Sequence, residues 1–244
     1  MEPIMNGQNS QARYRRILLK LSGEALSAGD RGIVNEQFVR EIAMQLKKCM
    51  ALGVQIGIIV GAGNIWRGRQ GKEMDQVRAD YMGMLATAIN SLALQDVFIR
   101  EGIDARVMTA FEMKNVGEPY TRDRAVEHLE NGRVVIFAGG LGTPFFSTDT
   151  AAAVRAAEIG ADVMLMAKNI DGIYTADPAK DSNAVRLDSI SYRDILSGGL
   201  KAIDSTATAF CMDTHMPIFV FGLFDAEYIY RAVTGECTGT TVTE

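Results

Sequence analysis

Apolar residues in this chain fall in short continuous runs, separated by segments in which they recur every three or four positions. The run Arg15 to Leu21 (RRILLKL) carries charges at its ends and reads as a buried strand. Asn35 to Leu52 reads as a helix: Asn35 is a good N-cap, and Phe38, Ile42, Leu46 and Cys49 or Met50 share one face. Gly53 follows as a natural terminator. Val54 to Val60 is a second continuous strand, ending in Gly61-Ala62-Gly63-Asn64. A long helix is expected from about Asp80 to Arg100, with Met84, Leu85, Ala88, Ile89 and Leu92 facing inward and Gly102 as its stop.

The alternation continues with strand Ile103 to Met108, helix Thr121 to Asn131, strand Arg133 to Ala138, helix Thr150 to Ile159 and strand Asp162 to Ala167. Lys168 to Ala184 is polar and loop-like. A short helix near Tyr192, a helix from Ser205 to about Asp213, strand Ile218 to Phe221, a helix capped by Asp225 and strand Thr240 to Val242 complete the chain. Strands apolar along their whole length and alternating with helices predict a mostly parallel sheet covered on both faces. The expected architecture is a three-layer αβα sandwich, with residues 14–244 as one domain behind a flexible tail, 1–13.

Composition narrows the function classes. The chain has 244 residues, 48% hydrophobic and 23% charged, with a net charge of −5. That balance argues against broad nucleic-acid binding, while leaving room for one basic pocket. No apolar run reaches the roughly 18 residues that span a bilayer, and Met1 to Arg13 lacks the apolar stretch of a secretion signal. The three cysteines, Cys49, Cys211 and Cys237, are far apart, no CxxC occurs, and the histidines are His128 and His215. Neither a disulfide framework nor a protein-held metal site is expected, and the chain reads as cytoplasmic.

In open α/β sheets ligands bind beyond the carboxyl ends of the strands, and several such ends here are unusual. The first is Lys20-Leu21-Ser22-Gly23. A lysine inside an apolar strand either meets an anion or snorkels to water from a sheet edge; the Ser-Gly turn behind it favours the anion. The second is Gly61-Ala62-Gly63-Asn64, with Arg67 one turn on, which suits a phosphate. Trp66 beside it reads more naturally as a core or interface residue. In Gly139 to Asp149 three glycines precede Ser147, Thr148 and Asp149, all good N-caps, so a helix start there forms an anion site. The fourth end reads KNIDGIYTADPAKD, where Lys168 is placed to steady charge on a phosphoryl group and Tyr174 either stacks on a purine or covers the core. By pattern alone Asp80 is a solvated helix-start charge. No GxxxxGK[ST], no GxGxxG with a following acid, no HRD or DFG and no GxSxG occurs, which removes P-loop, dinucleotide, protein-kinase and serine-hydrolase readings.

Taken together, RRILLKLSGEAL, VGAGNIWRG, DYMGMLATAIN, GTPFFSTDTAA and DGIYTADPAKD occur in an order that resembles the bacterial uridylate (UMP) kinase family of the amino-acid kinase fold group, across nearly the whole chain from about Tyr14. The resemblance implies transfer of a phosphoryl group from ATP to UMP, with Mg2+ carried by the nucleotide phosphates, in pyrimidine nucleotide biosynthesis. It also implies a hexamer built from dimers, activation by GTP and inhibition by UTP. Carried over by position, it assigns Lys20, Leu21, Ser22, Gly23, Gly63, Arg67, Lys168, Asn169, Tyr174 and Asp177 to ATP. Ala62, Asp80, Leu141, Gly142, Thr143, Pro144, Phe145, Phe146, Ser147 and Thr148 go to UMP, so Asp80 becomes a ribose ligand. Lys20, Arg67 and Asp149 are the candidate catalytic residues, Asp149 either orienting Lys20 or binding magnesium through water.

The chain departs from the family at three places. Ala62 stands where relatives often have a third glycine. Leu141 and Thr143 stand where some relatives have Thr and Asn, which shifts uracil recognition toward backbone groups. Ser27 to Gly32 differs from the loop tied to GTP activation in relatives. Two alternatives are a kinase of carboxylate or carbamate substrates, disfavoured by Asp80 and the FFSTD loop, and a non-catalytic nucleotide sensor, disfavoured by the joint presence of Lys20, Arg67 and Asp149.

Overall fold

The computed structural model describes residues 11–27, 32–66, 73–200 and 202–244. Its strands are β1 (Arg16–Leu21), β2 (Gln55–Val60), β3 (Ala105–Thr109), β4 (Glu118–Pro119), β5 (Val134–Ala138) and β6 (Val163–Lys168). These are followed by β7 (Ile173–Tyr174), β8 (Arg186–Leu187), β9 (Ser189–Ser191), β10 (Ile218–Gly222) and β11 (Thr240–Thr243). The helices are α1 (Gly23–Ser27), α2 (Glu36–Ala51), α3 (Gln76–Arg100), α4 (Arg122–Glu130), α5 (Thr148–Glu158), α6 (Tyr192–Ser197), α7 (Ser205–Asp213) and α8 (Glu227–Thr234). Nine strands form one sheet in the order β4-β3-β5-β2-β1-β6-β10-β11-β9, parallel throughout except where β10 meets β11. The expected sandwich is present: Ile17, Leu19 and Leu21 face one apolar layer shared with α2, α3 and α8, and Leu18 faces the other, shared with α5 and α7.

β1 lies between β2 and β6, so Lys20 sits on a central strand, not at a sheet edge. Side chains alternate along a strand, so Lys20 shares Leu18's face and opens toward the start of α5. The expected helix caps recur in the structure. Asn35 accepts from the Phe38 amide, Thr121 from Arg124, and Ser147 from Asp149 and Thr150. The cap expected at Asp225 falls one residue later, since Ala226 is the N-cap of α8, and Asp225 instead accepts the Glu227 amide at 2.8 Å from just outside the helix. Packing begins earlier than the boundary at 14, since Ala12 touches the core and the Arg13 amide donates to the Val233 carbonyl at 2.9 Å. The segment expected as loop from Lys168 to Ala184 contains β7, which pairs with β8 beyond its end.

The larger corrections concern α3. It begins at Gln76 behind Asp75, whose carboxylate accepts from the Arg78 amide, so Asp80 lies one turn inside the helix and does not open it. Met84 and Ala88 face inward as expected, but Leu85, Ile89 and Leu92 are 49%, 49% and 40% exposed. The inward face instead carries Thr87, Asn90 and Ser91. Each is satisfied there: Thr87 donates to the Met84 carbonyl, Ser91 to that of Thr87, and Asn90 to that of Gly61. By length and composition this helix could cross a bilayer, yet half of its apolar window is buried along the sheet.

Candidate active site

Three charged side chains meet at the carboxyl edge of the sheet. Lys20 Nζ, from β1, lies 2.9 Å from Asp149 Oδ1 in the first turn of α5. Lys168 Nζ, from the end of β6, lies 3.6 Å from Asp149 Oδ2 and also donates to the Ala202 carbonyl. All three are largely withdrawn from water, so solvent screens their mutual attraction little. Burial alone would raise the Asp149 carboxyl; Lys20 first, and then Lys168, overturn that and hold it below the usual range. Burial lowers the Lys168 ammonium, with Asp149 opposing. A carboxylate whose folded pKa is depressed contributes stability that is present above its unfolded value, 3.8, and lost as pH falls through the lower folded one. Melting temperature followed from about pH 5 down to about pH 2 is therefore expected to fall more steeply in the wild type than in Asp149→Asn. Equal slopes would contradict this linkage.

The turns after β1 and β2 touch each other. A Cβ at Gly23 would lie 2.5 Å from the Gly61 carbonyl oxygen and 2.8 Å from the Gly63 nitrogen, so only glycine permits this approach. The Gly61 amide in turn donates to the Leu21 carbonyl at 2.9 Å. Asn64 and Asn90 exchange amide hydrogen bonds of 2.9 and 2.8 Å, and Asn90 also donates to the Gly61 carbonyl, which fastens the second turn to α3. Ser22, Gly23, Ala62 and Gly63 are thus brought to one place, beside Lys20. Arg67 and most of the loop from Ser27 to Gly32 lie outside the described residues.

A first cleft, of about 120 Å3, opens between α3 and the loop 139–148. Ala62, Asp80, Leu141, Thr143, Phe146, Ser147 and Thr148 line it, as do Trp66 and Thr87, which were not foreseen as site residues. Trp66 is fixed by an indole N–H donated to the Ala79 carbonyl at 2.9 Å. Thr87 accepts from the Gly139 amide at 2.9 Å. Asp80 Oδ2 accepts from the Phe145 amide at 2.7 Å and its Oδ1 from Gln76, so the helix holds the loop directly. Phe145 itself adopts φ of 73°, uncommon for a bulky residue, and its ring is 73% exposed. It therefore serves the loop through its backbone, whereas Phe146 forms cleft wall. Gly142, at φ 77°, passes so close to Ala110 that a Cβ would lie 2.9 Å from its carbonyl oxygen; Gly142 and Pro144 shape the loop without lining the cleft.

A second groove, of about 510 Å3, runs from Lys168 past Ile173 and Tyr174 to Asp177 and Pro178. The Tyr174 hydroxyl donates to Asp171 at 2.8 Å, and Asp177 accepts from the Ala179 amide. Asn169 is exposed and does not line the groove. The cluster of Lys20, Asp149 and Lys168 stands between the two hollows.

Sequence reasoning missed Asp204. It caps α7 through the amides of Thr206 and Ala207, and it also accepts from the hydroxyls of Ser147 and, at 2.8 Å, Thr150. It therefore ties the first turn of α5 to the segment whose Ala202 carbonyl holds Lys168. The signal available was an aspartate directly before a helical pattern, which by itself denotes an ordinary cap.

Residues 15–222 match the sequence profile of the Amino acid kinase family. The chain resembles the crystal structure of a UMP kinase from Bacillus anthracis, with a TM-score of 0.90 at 37% identity, covering 94% of this chain and 96% of that one. A UMP kinase from Ureaplasma parvum superposes with a TM-score of 0.90 at 34% identity, covering 95% and 100%. A uridylate kinase from Archaeoglobus fulgidus gives 0.74 at 29% identity, covering 93% and 99%.

Proposed function

This chain belongs to the amino acid kinase family, and on that premise we infer that it is a UMP kinase, moving the γ-phosphoryl group of ATP to UMP to give UDP and ADP. It is a phosphotransferase whose product enters pyrimidine nucleotide synthesis. The observation that carries the reading is the buried Lys20–Asp149–Lys168 cluster set between two differently lined hollows. In the proposed arrangement UMP occupies the cleft of Asp80 and residues 141–148, with Asp80 on the ribose hydroxyls. ATP lies along the groove of Lys168, Tyr174 and Asp177, its phosphates against Leu21, Ser22, Gly23 and Gly63, and Asn169 is assigned to it by resemblance alone.

Phosphoryl transfer depends on positioning and charge stabilisation far more than on covalent help from the protein. The attacking UMP phosphate oxygen is already ionised, so no general base is needed. Lys20 neutralises charge developing on the transferred group, and Asp149 fixes where that ammonium points. Arg67 is assigned to the phosphates by resemblance. Magnesium would arrive with the ATP phosphates and supply charge neutralisation there, which fits a cluster whose carboxylate, Asp149, is already shared by two ammoniums.

The test is ADP formation in a coupled assay with UMP, CMP, glutamate and aspartate offered in parallel. Turnover with UMP above the others is expected; turnover with an amino acid and not UMP would end the reading. GTP as activator and UTP as inhibitor belong to the same proposal, and the same assay reads both.

Assembly as a homo-oligomer, a hexamer built from dimers, is also part of the proposal. Support comes from the outward face of α3, where Tyr81, Leu85, Ile89, Leu92 and Ile99 form one apolar stripe at helical spacing. A second copy laid antiparallel on this stripe would meet the same residues, as a two-fold interface requires. Light scattering is expected to give a multiple of 26.6 kDa for the wild type and a smaller species for Leu85→Glu combined with Ile89→Lys. A monomeric wild type would refute the interface.

A further inference from the structure

Phe224 follows β10, and its ring is 63% exposed, an unusual amount for a phenylalanine at a functional strand edge. A Cβ at Gly222 would lie 2.4 Å from Phe224 Cε2, so the ring stands where a side chain on Gly222 would begin. Gly222 pairs in register with Lys168 on β6, and paired residues of neighbouring parallel strands present the same face of a sheet. The ring therefore lies on the same face of the sheet as Lys168, which lines the second groove, while Phe224 itself stands outside that lining. The backbone is fixed there as well, because the Leu223 amide donates to the Lys168 carbonyl at 2.8 Å. Tyr228 meets the ring edge-on, with centroids 6.4 Å apart at 90°.

We propose that Phe224 is a further contact for the donor nucleotide, closing the β10 side of the groove and packing against the adenosine of ATP. The proposal rests on the assignment of that groove to ATP. It explains why an aromatic ring is held in water at this strand end and why Gly222 leaves room for it. Aromatic side chains gain from stacking on a nucleoside whatever its base, so the expected loss on truncation is about tenfold.

The experiment compares wild type, Phe224→Ala and Phe224→Trp in steady-state kinetics, and in calorimetric titration with ATP and with inorganic tripolyphosphate. Phe224→Ala is expected to raise KM and Kd for ATP about tenfold, with KM for UMP and kcat within about twofold. Phe224→Trp is expected to restore ATP affinity, and tripolyphosphate is expected to bind wild type and Phe224→Ala equally. Unchanged ATP affinity in Phe224→Ala, or an equal loss for tripolyphosphate, would overturn the proposal. Wild-type turnover with UMP tests the functional reading separately, since ATP binding reports on Phe224 whatever the acceptor is.

Discussion

Lys20→Ala is expected to lower turnover about a thousandfold while the protein stays folded. The size of the effect follows from position. Lys20 is on the central strand, its ammonium is withdrawn from water, and Asp149 at 2.9 Å fixes its direction. Charge stabilisation by a preorganised group in such a setting is worth far more than in solvent, and a water molecule in the vacated space cannot supply a positive charge. The fold is expected to survive because Asp149 keeps Lys168 as a partner at 3.6 Å, so the deletion does not leave a buried charge alone. The stability loss is then below the ~3–5 kcal/mol typical of an orphaned buried ion. The measurement is kcat for UMP-dependent ADP release alongside a thermal melt. Turnover within about tenfold of wild type in a folded variant would remove Lys20 from the mechanism.

Gly23→Ala is expected to cost about a hundredfold in turnover and about 1–3 kcal/mol in stability, the larger consequence being kinetic. The added methyl meets backbone, the Gly61 oxygen at 2.5 Å and the Gly63 nitrogen at 2.8 Å, and also Asn64 Oδ1 at 2.6 Å, a side chain tied to Asn90. The two turns must separate, and a displacement of about 1 Å between groups holding reacting phosphates is enough for a loss of that order. The effect should differ in kind from Lys20→Ala. Moving a cradle weakens nucleotide binding as well as turnover, so KM for ATP should rise together with the fall in kcat. A Gly23→Ala enzyme with wild-type kcat and KM would show that the close approach is not needed for function.

Much of this architecture was legible because local and global preferences agree. Strands buried on both faces leave continuous apolar runs, and Asn35, Thr121 and Ser147 cap the helices that their positions suggested. Of the residues expected at the strand ends, Lys20, Asp149 and Lys168 meet, whereas Asn169 lines neither hollow and Arg67 lies outside the described residues; the pairing of Lys20 with Asp149 was one of two roles open for that carboxylate. The α3 face was misread for a physical reason. Its inner side carries Thr87 and Asn90, whose hydrogen bonds hold the site loops, and Ser91, alongside Met84, Ala88 and Leu94, while Leu85, Ile89 and Leu92 lie outside. Periodicity assigns an apolar face to the core of one chain and has no means to represent the second copy that the proposed interface would supply. Asp204 was missed because its contacts to Ser147 and Thr150 span more than fifty residues, and a cap rule sees only three or four. The β7–β8 pair escaped because two-residue strands carry no period.

Trp66 is the one tryptophan in the sequence, and it forms part of the wall of the cleft that Asp80 shares with the 141–148 loop. The protein thus carries a built-in optical probe. Indole emission excited beyond the tyrosine band arises from this wall alone, with no label and no background from other tryptophans. Occupancy of one cleft can therefore be titrated by fluorescence in the unmodified enzyme, while the neighbouring groove stays dark.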